Sequence, residues 1–178
     1  MKQTAIINSE IKARCGDQEA VRQYLREHGA DFKGTDHQID TYFDVPKGRL
    51  KLRQGPIKNN LIFYQRADTD GPKQSTINLS PVAPDSTIGE VLTAALGVRV
   101  VVDKQREIYF IDNVKFHIDT VKGLGNFVEI EAVDTDGKRN AEELEQQCSY
   151  YMRELGIKAI DLVVGSYSDL LEGAALSH

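Results

Sequence analysis

Charged side chains recur at every second position in widely separated stretches of this chain. Asn8, Glu10, Lys12 and Arg14 alternate with Ile7, Ser9, Ile11 and Ala13, and Arg49, Lys51 and Arg53 alternate with Leu50 and Leu52. Further on, Lys104 and Arg106 share one parity and Lys115, His117 and Asp119 share another, while Glu129 and Glu131 oppose Val128, Ile130 and Ala132. A period of two is the side-chain repeat of a β-strand, so each set lies on one face of its strand. Any one such face reads most simply as the wet side of a half-buried sheet. As a set they resist that reading, because like charges gather on the same strands and repel across neighbours. The alternative turns the charged faces inward around a hydrated lumen and the apolar faces outward, under helices. Burying so many cations is too costly unless water or an anion fills the space. A short phosphate chain suits it: Arg and Lys match its repeated charges, and a divalent ion on carboxylate oxygens bridges the phosphates.

The remaining pattern supplies the covering. Helices are expected from Asp17 to Gly29, from Asp85 or Ser86 to Gly97, and over 140–155 with Leu144, Cys148, Tyr151 and Leu155 facing inward. A shorter helical turn is expected at 166–171. Strands are expected over 4–14, 36–44, 49–54, 60–66, 74–80, 98–110, 113–121 and 126–134, with turns at Asp112-Asn113 and Gly123-Leu124-Gly125. Strands in adjacent runs, without strict strand–helix–strand units, favour an antiparallel sheet or barrel in an α+β fold. No low-complexity tract, repeat or linker divides the 178 residues, so 1–178 reads as one domain.

Composition narrows the partners. With 22 Lys+Arg against 27 Asp+Glu the net charge is −5, which disfavours the counterion-driven coating of nucleic acid. Cys15 and Cys148 form neither a disulfide framework nor a zinc pattern. The first residues turn polar too early for a secretory leader, and no apolar run reaches the ~20 residues that cross a bilayer. A cytoplasmic protein with no membrane partner is the expectation. Phosphate-loop, dinucleotide and nucleophile-elbow motifs are all missing from the sequence. The third helix offers a homodimer face, with core packing as the stronger reading.

An ordered set of stretches resembles one family. Asn8-Ser9-Glu10-Ile11-Lys12 resembles the Glu-x-Glu-x-Lys signature of the CYTH superfamily, the triphosphate tunnel metalloenzymes, which include class IV adenylyl cyclases and thiamine triphosphatases. Gln38-Ile39-Asp40-Thr41-Tyr42-Phe43, Gly48-Arg49-Leu50-Lys51-Leu52-Arg53, Leu61-Ile62-Phe63-Tyr64-Gln65-Arg66 and the stretch from Gly123 to Glu131 resemble the same family. Gly71-Pro72-Lys73 is similar to the class IV adenylyl cyclase-like branch. The resemblance implies an eight-stranded antiparallel β-barrel or tunnel with covering helices. It implies metal binding by Glu10, Glu129 and Glu131 with Asp119 nearby, and Mg²⁺ or Mn²⁺ as the ion. It implies Lys12, Lys51, Arg53, Arg66, Lys104 and Arg106 as phosphate contacts. Arg14, Arg49, Lys73, Lys115 and His117 are further candidates, each balanced against a surface or turn reading, and Tyr42 and Tyr64 either pack on a substrate base or belong to the core. Asn8 departs from the signature, placing a neutral and weaker oxygen ligand where the family has a carboxylate. Gln65 or Arg66 stands where many relatives carry a lysine.

Three functions are then in competition. The leading one converts ATP to cyclic AMP and pyrophosphate. In the second, water attacks the terminal phosphate of an organic or inorganic triphosphate and releases orthophosphate. The third is a non-catalytic sensor of nucleotides or polyphosphate, suggested by Asn8. As residues of a solvated lumen, Glu129 and Glu131 are each expected to tolerate substitution by Gln without loss of fold.

Overall fold

The computed structural model describes residues 7–66 and 75–177, the side chains of Arg66, Ser75 and Thr76 excepted. The expected strand start at 4–6, the Arg66 side chain and Gly71-Pro72-Lys73 lie outside the described residues. Eight strands form one antiparallel sheet: β1 (Asn8–Arg14), β2 (Asp31–Phe43), β3 (Arg49–Gln54), β4 (Asn60–Arg66), β5 (Ser75–Pro81), β6 (Val98–Ile111), β7 (Val114–Val121) and β8 (Gly125–Val133). Their order across the sheet is β1-β8-β7-β6-β2-β3-β4-β5. Helices α1 (Gln18–Glu27), α2 (Ile88–Leu96), α3 (Ala141–Glu154) and α4 (Tyr167–Leu176) complete the described α+β fold. The sheet curls into a half-barrel with β1 and β5 at its two ends. The free edge of β1 is covered by the chain that leads into α4: Leu162 bridges Ala13, and Val163 N–H donates to Lys12 O at 2.8 Å. An edge protected in this way is not open to a further strand.

The outer face of β1, β7 and β8 carries the main core. Ala13, Phe116, Ile118, Val128 and Ile130 pack there under Val21 and Leu25 of α1 and Leu144 and Cys148 of α3. Asp17 caps α1 by accepting from Ala20 N–H at 3.1 Å, and Asn140 and Glu143 form a reciprocal capping box on α3. Burying each large side chain here contributes about 1.5–3 kcal/mol. That burial also fixes register, since a one-residue slip would exchange the two faces of every strand. The apolar parity therefore decides where the charged parity points, which is inward.

A second apolar cluster sits on the concave side. Tyr167, Leu170 and Leu171 of α4 pack against Val102, Val121 and Phe127 at one end of the lumen. The structure extends two expected elements. β2 begins at Asp31, because the 14-residue β6 holds it in register as far as Asp31↔Phe110 across a bulge near Gly34. α4 runs on to Leu176, started by a Ser166–Asp169 capping box that a short apolar repeat does not reveal. α2, although apolar, buries none of its residues.

Candidate functional site

The concave face encloses a cavity of about 340 Å³. Asn8, Glu10, Lys12, Lys51, Arg53, Lys104, Arg106, Lys115, His117, Glu129 and Glu131 all line it, so residues from β1, β3, β6, β7 and β8 converge on one space. Although the whole chain carries −5, Lys12, Lys51, Arg53, Lys58, Lys104, Arg106 and Lys115 outnumber Glu10, Asp40, Glu129 and Glu131 along this wall. Three ionic groupings organise it.

The first is centred on Asp40, which is only 1% exposed. Arg53 donates to it in bidentate fashion, Nε to Oδ1 and Nη2 to Oδ2, both at 2.7 Å. Lys51 Nζ reaches it at 3.2 Å and Lys104 Nζ at 3.1 Å. Burial alone would raise the Asp40 carboxyl, but Lys51, Arg53 and Lys104 outweigh it and hold the group well below the usual carboxylate range. Lys104 responds the other way. Its burial, helped by Arg106, Arg53 and Lys51 and opposed by Asp40, pushes the ammonium down to about 7.

A second grouping surrounds Arg106. Its Nε and Nη2 donate to Asp119 at 2.8 and 2.6 Å, and Nη2 also reaches Glu129 at 2.9 Å. Tyr167 O–H donates to Asp119 at 2.7 Å. Glu129 further contacts Lys12 Nζ at 3.3 Å and His117 Nδ1 at 3.1 Å. Burial would raise its carboxyl, but Arg106, His117 and Lys12 hold it well below the usual range. Burial, then Arg106, lowers His117, so its imidazole is neutral at pH 7. Lys12 Nζ also sits 4.0 Å from the centre of the Tyr167 ring.

The third is a carboxylate corner. Glu10 and Glu131 stand directly opposite each other across β1 and β8. Asn8 Nδ2 donates to Glu131 Oε1 at 3.0 Å, and Lys115 Nζ lies 3.5 Å from Oε2. An amide at position 8 thus donates to a carboxylate where an acid would add repulsion. Among the described residues no three His, Cys, Asp or Glu side chains come together as a ready metal-holding group. The donor set, two carboxylates and an amide oxygen, is hard and fits Mg²⁺ or Mn²⁺ bound with waters and completed by phosphate oxygens. It does not make an all-protein cage.

The placement of the other candidates divides them. Asp119 is wholly buried beneath the wall, with its oxygens taken by Arg106 and Tyr167. Arg14 leaves the cavity and lies over the Phe127 ring, donating to Leu124 O at 3.4 Å. Arg49 lies outside it too, donating to Ser166 Oγ, Ser168 Oγ and Asp169 Oδ1 at the start of α4, which ties that helix to β3. Both sit at strand ends, where face parity no longer tells lumen from rim. Tyr42 and Tyr64 belong to the inner apolar cluster and also line the cavity. Reading the sequence for basic residues passed over Asp40, although it shares a parity with Gln38 and Tyr42. It also missed Lys58 and Tyr167, which reach the cavity from a loop and a helix, where alternation gives no signal.

Lys104 carries a testable pH dependence. Its folded value is depressed, so above about 7 the empty lumen carries it neutral, whereas a bound polyanion favours the charged form. Tripolyphosphate binding at pH 8 is therefore expected to take up close to one proton, read as a buffer-dependent enthalpy in calorimetry. Affinity should fall by up to about tenfold per pH unit above that point. An enthalpy independent of buffer would show that Lys104 is already charged in the free protein.

Comparison with known proteins agrees with this geometry. The profile of the CYTH domain matches residues 7–167. Adenylate cyclase CyaB from Aeromonas hydrophila is 25% identical over 174 residues, covering 92% of this chain and 87% of that protein. Among solved structures, a Pyrococcus horikoshii protein superposes with a TM-score of 0.74 at 27% identity, covering 93% of this chain and 98% of that one. A candidate adenylyl cyclase from Hippeastrum, for which a dominant triphosphatase activity is described, gives a TM-score of 0.64 at 17% identity over 96% of both chains. With a profile that matches most of its length, the chain belongs to the CYTH domain family.

Proposed function

We propose that the protein is a divalent-metal-dependent enzyme acting on a triphosphate held along the cationic lumen, with ATP converted to cyclic AMP and pyrophosphate as the leading reaction. One observation carries the reading: Lys12, Lys51, Arg53, Lys104 and Arg106 converge on a single cavity that also holds the Glu10–Glu131 pair.

The carboxylates behind the cations orient them before substrate arrives. Asp40 fixes Arg53 through Nε and Nη2, and Glu129 together with Asp119 does the same for Arg106. A lysine ammonium has three donors, and Lys104 gives one to Asp40, which leaves others for phosphate oxygens. Donors already aimed at the phosphates need no reorganisation as charge builds on a departing pyrophosphate. In the cyclase reaction a ribose hydroxyl oxygen gives up its proton to solvent and bonds to the α-phosphorus as the bond to the bridging oxygen breaks and pyrophosphate departs with that oxygen. Lys51, Arg53 and Lys104 would neutralise the leaving group. A divalent ion held by Glu10 and Glu131, with Asn8 as a weaker oxygen donor, would supply Lewis-acid withdrawal of charge from the phosphate oxygens. No covalent intermediate with a side chain is required.

The triphosphatase reading uses the same lumen with water in line with the terminal phosphate. It is favoured by the Hippeastrum relative, whose described activity shows that this fold accommodates that reaction. Purified protein with Mn²⁺ or Mg²⁺ is to be offered ATP, GTP, thiamine triphosphate and inorganic triphosphate. Cyclic AMP with pyrophosphate is the expected product, and orthophosphate would transfer the assignment to the triphosphatase. Tight binding with no product would leave a sensor. Failure of every triphosphate to bind would end the proposal.

A further inference from the structure

We propose that Lys58, carried on the β3–β4 loop, is a further phosphate-binding residue that reaches over the lumen near the carboxylate corner, held in place by the buried Asp36. The inference rests on the polyphosphate reading of this cavity and adds a residue that neither strand parity nor the family signatures mark.

The loop is built to present this one side chain. Asn59 closes it on itself, with Nδ2 donating to Gly55 O at 2.6 Å and Oδ1 accepting from Gly55 N–H at 3.2 Å. Ile57 N–H donates to Asp36 Oδ1 at 2.9 Å, and Gln38 Nε2 donates to Asp36 Oδ2 at 2.8 Å. Asp36 is fully buried, so the loop is pinned from below. Gly55 lies so close to that carboxylate that a Cβ there would meet Asp36 Oδ1 at 2.6 Å. Pro56 restricts the backbone further. Much of the ordering cost of an arm that meets a ligand is therefore met during folding.

What the loop presents is an ammonium without a counter-ion. Lys58 lines the cavity, yet no hydrogen bond or salt bridge joins it to another described residue. The charges that act on it most strongly are the cations Lys115, Arg53 and Arg106, which come ahead of the opposing Glu131. Lys58 is exposed to solvent in the ligand-free protein, and the partial desolvation of its ammonium, followed by those neighbours, lowers its pKa. Arg53, Lys104 and Arg106 each have a carboxylate partner and Lys58 has none. A cation placed among cations is unfavourable in the free protein and becomes favourable when an anion enters. The chemistry that meets this need is a phosphate group of a polyphosphate chain.

Calorimetry with inorganic tripolyphosphate in EDTA tests the inference without metal or turnover. Lys58→Gln is expected to weaken binding by about tenfold, and Lys58→Arg to stay within about threefold of the wild type. The melting temperature of ligand-free Lys58→Gln should be unchanged or raised, since repulsion is removed, whereas a structural lysine would lower it on substitution. Gly55→Ala keeps the charge but displaces the loop from Asp36, and should weaken binding as Lys58→Gln does. Lys122→Gln, on the exposed surface away from the cavity, controls for net charge and should change affinity by less than about twofold. Wild type that binds tripolyphosphate with Lys58→Gln indistinguishable from it overturns this inference alone. Wild type that fails to bind tripolyphosphate both in EDTA and with Mg²⁺ present overturns the polyphosphate reading itself.

Discussion

Glu131→Gln is expected to cut triphosphate turnover by at least about 100-fold while shifting the melting temperature by less than about 3 °C. Glu131 faces Glu10 across the strand pair, and its side chain keeps 21% exposure. Its contacts are an amide from Asn8 and a long ion pair to Lys115, and a glutamine could keep the first of them. Little folding energy depends on its charge, because part-exposed pairs contribute about 0–1 kcal/mol. The proposed divalent ion would depend on its charge, because among the described residues Glu10 is the one other carboxylate facing this corner. Glu129→Gln is expected to behave differently, and here the structure corrects the expectation that both glutamates sit in a solvated lumen. Glu129 is buried and serves Arg106, His117 and Lys12 together. A single amide oxygen cannot satisfy those donors, and its NH₂ would face them. The loss should be about 3 kcal/mol, or roughly 6–12 °C. Paired activity and thermal-melting measurements on both variants check this. Equal destabilisation by the two substitutions would show that the corner and the buried grouping form one unit.

Asp40→Asn should be the more damaging change to the fold, with about 3–5 kcal/mol lost in denaturant titration at pH 7. The substitution leaves Lys51, Arg53 and Lys104 crowded in a buried wall with no anion among them. The pH dependence has a definite sign. Asp40 has a folded value held well below 3.8, so its contribution is full above the unfolded carboxyl range and disappears as pH falls through the folded value. The stability gap between wild type and Asp40→Asn should therefore narrow as the pH drops below about 4. Saturating tripolyphosphate should raise the melting temperature of Asp40→Asn more than that of wild type, since a bound anion takes the place of the missing one. A smaller rise in the variant would mean that the cations need Asp40 to point at the ligand at all.

How much was legible beforehand follows from where each residue sits. Lys12, Lys51, Arg53, Lys104, Arg106, Glu129 and Glu131 lie inside their strands and not at the terminal residues, where alternation holds and the opposite face carries apolar neighbours such as Leu52, Val128 and Ile130. Parity was enough to aim them together. Arg14 and Arg49 obey the same alternation but lie at strand ends, so the curvature of the sheet and the packing of α4 carried them out of the cavity. Asp119 obeys it as well and points inward, yet Arg106 and Tyr167 occupy its oxygens. A pattern of faces says nothing about which opposite charges will meet.

The amino-acid sequence by itself determined the existence of the eight strands, the two helices α1 and α3 that cover the outer face and the inward turn of the charged faces, because those follow from local periodicity and from the cost of exposing apolar surface. Only the tertiary structure decided which charges neutralise one another. Coulomb energy depends on separations of a few ångströms between residues far apart in the chain, and the curl of the sheet sets those separations. Asp40 thereby gathers Arg53 and Lys104, Glu129 is withdrawn into the Arg106 grouping, Glu10 and Glu131 remain as the corner, and a loop pinned by Asp36 adds Lys58 to the wall.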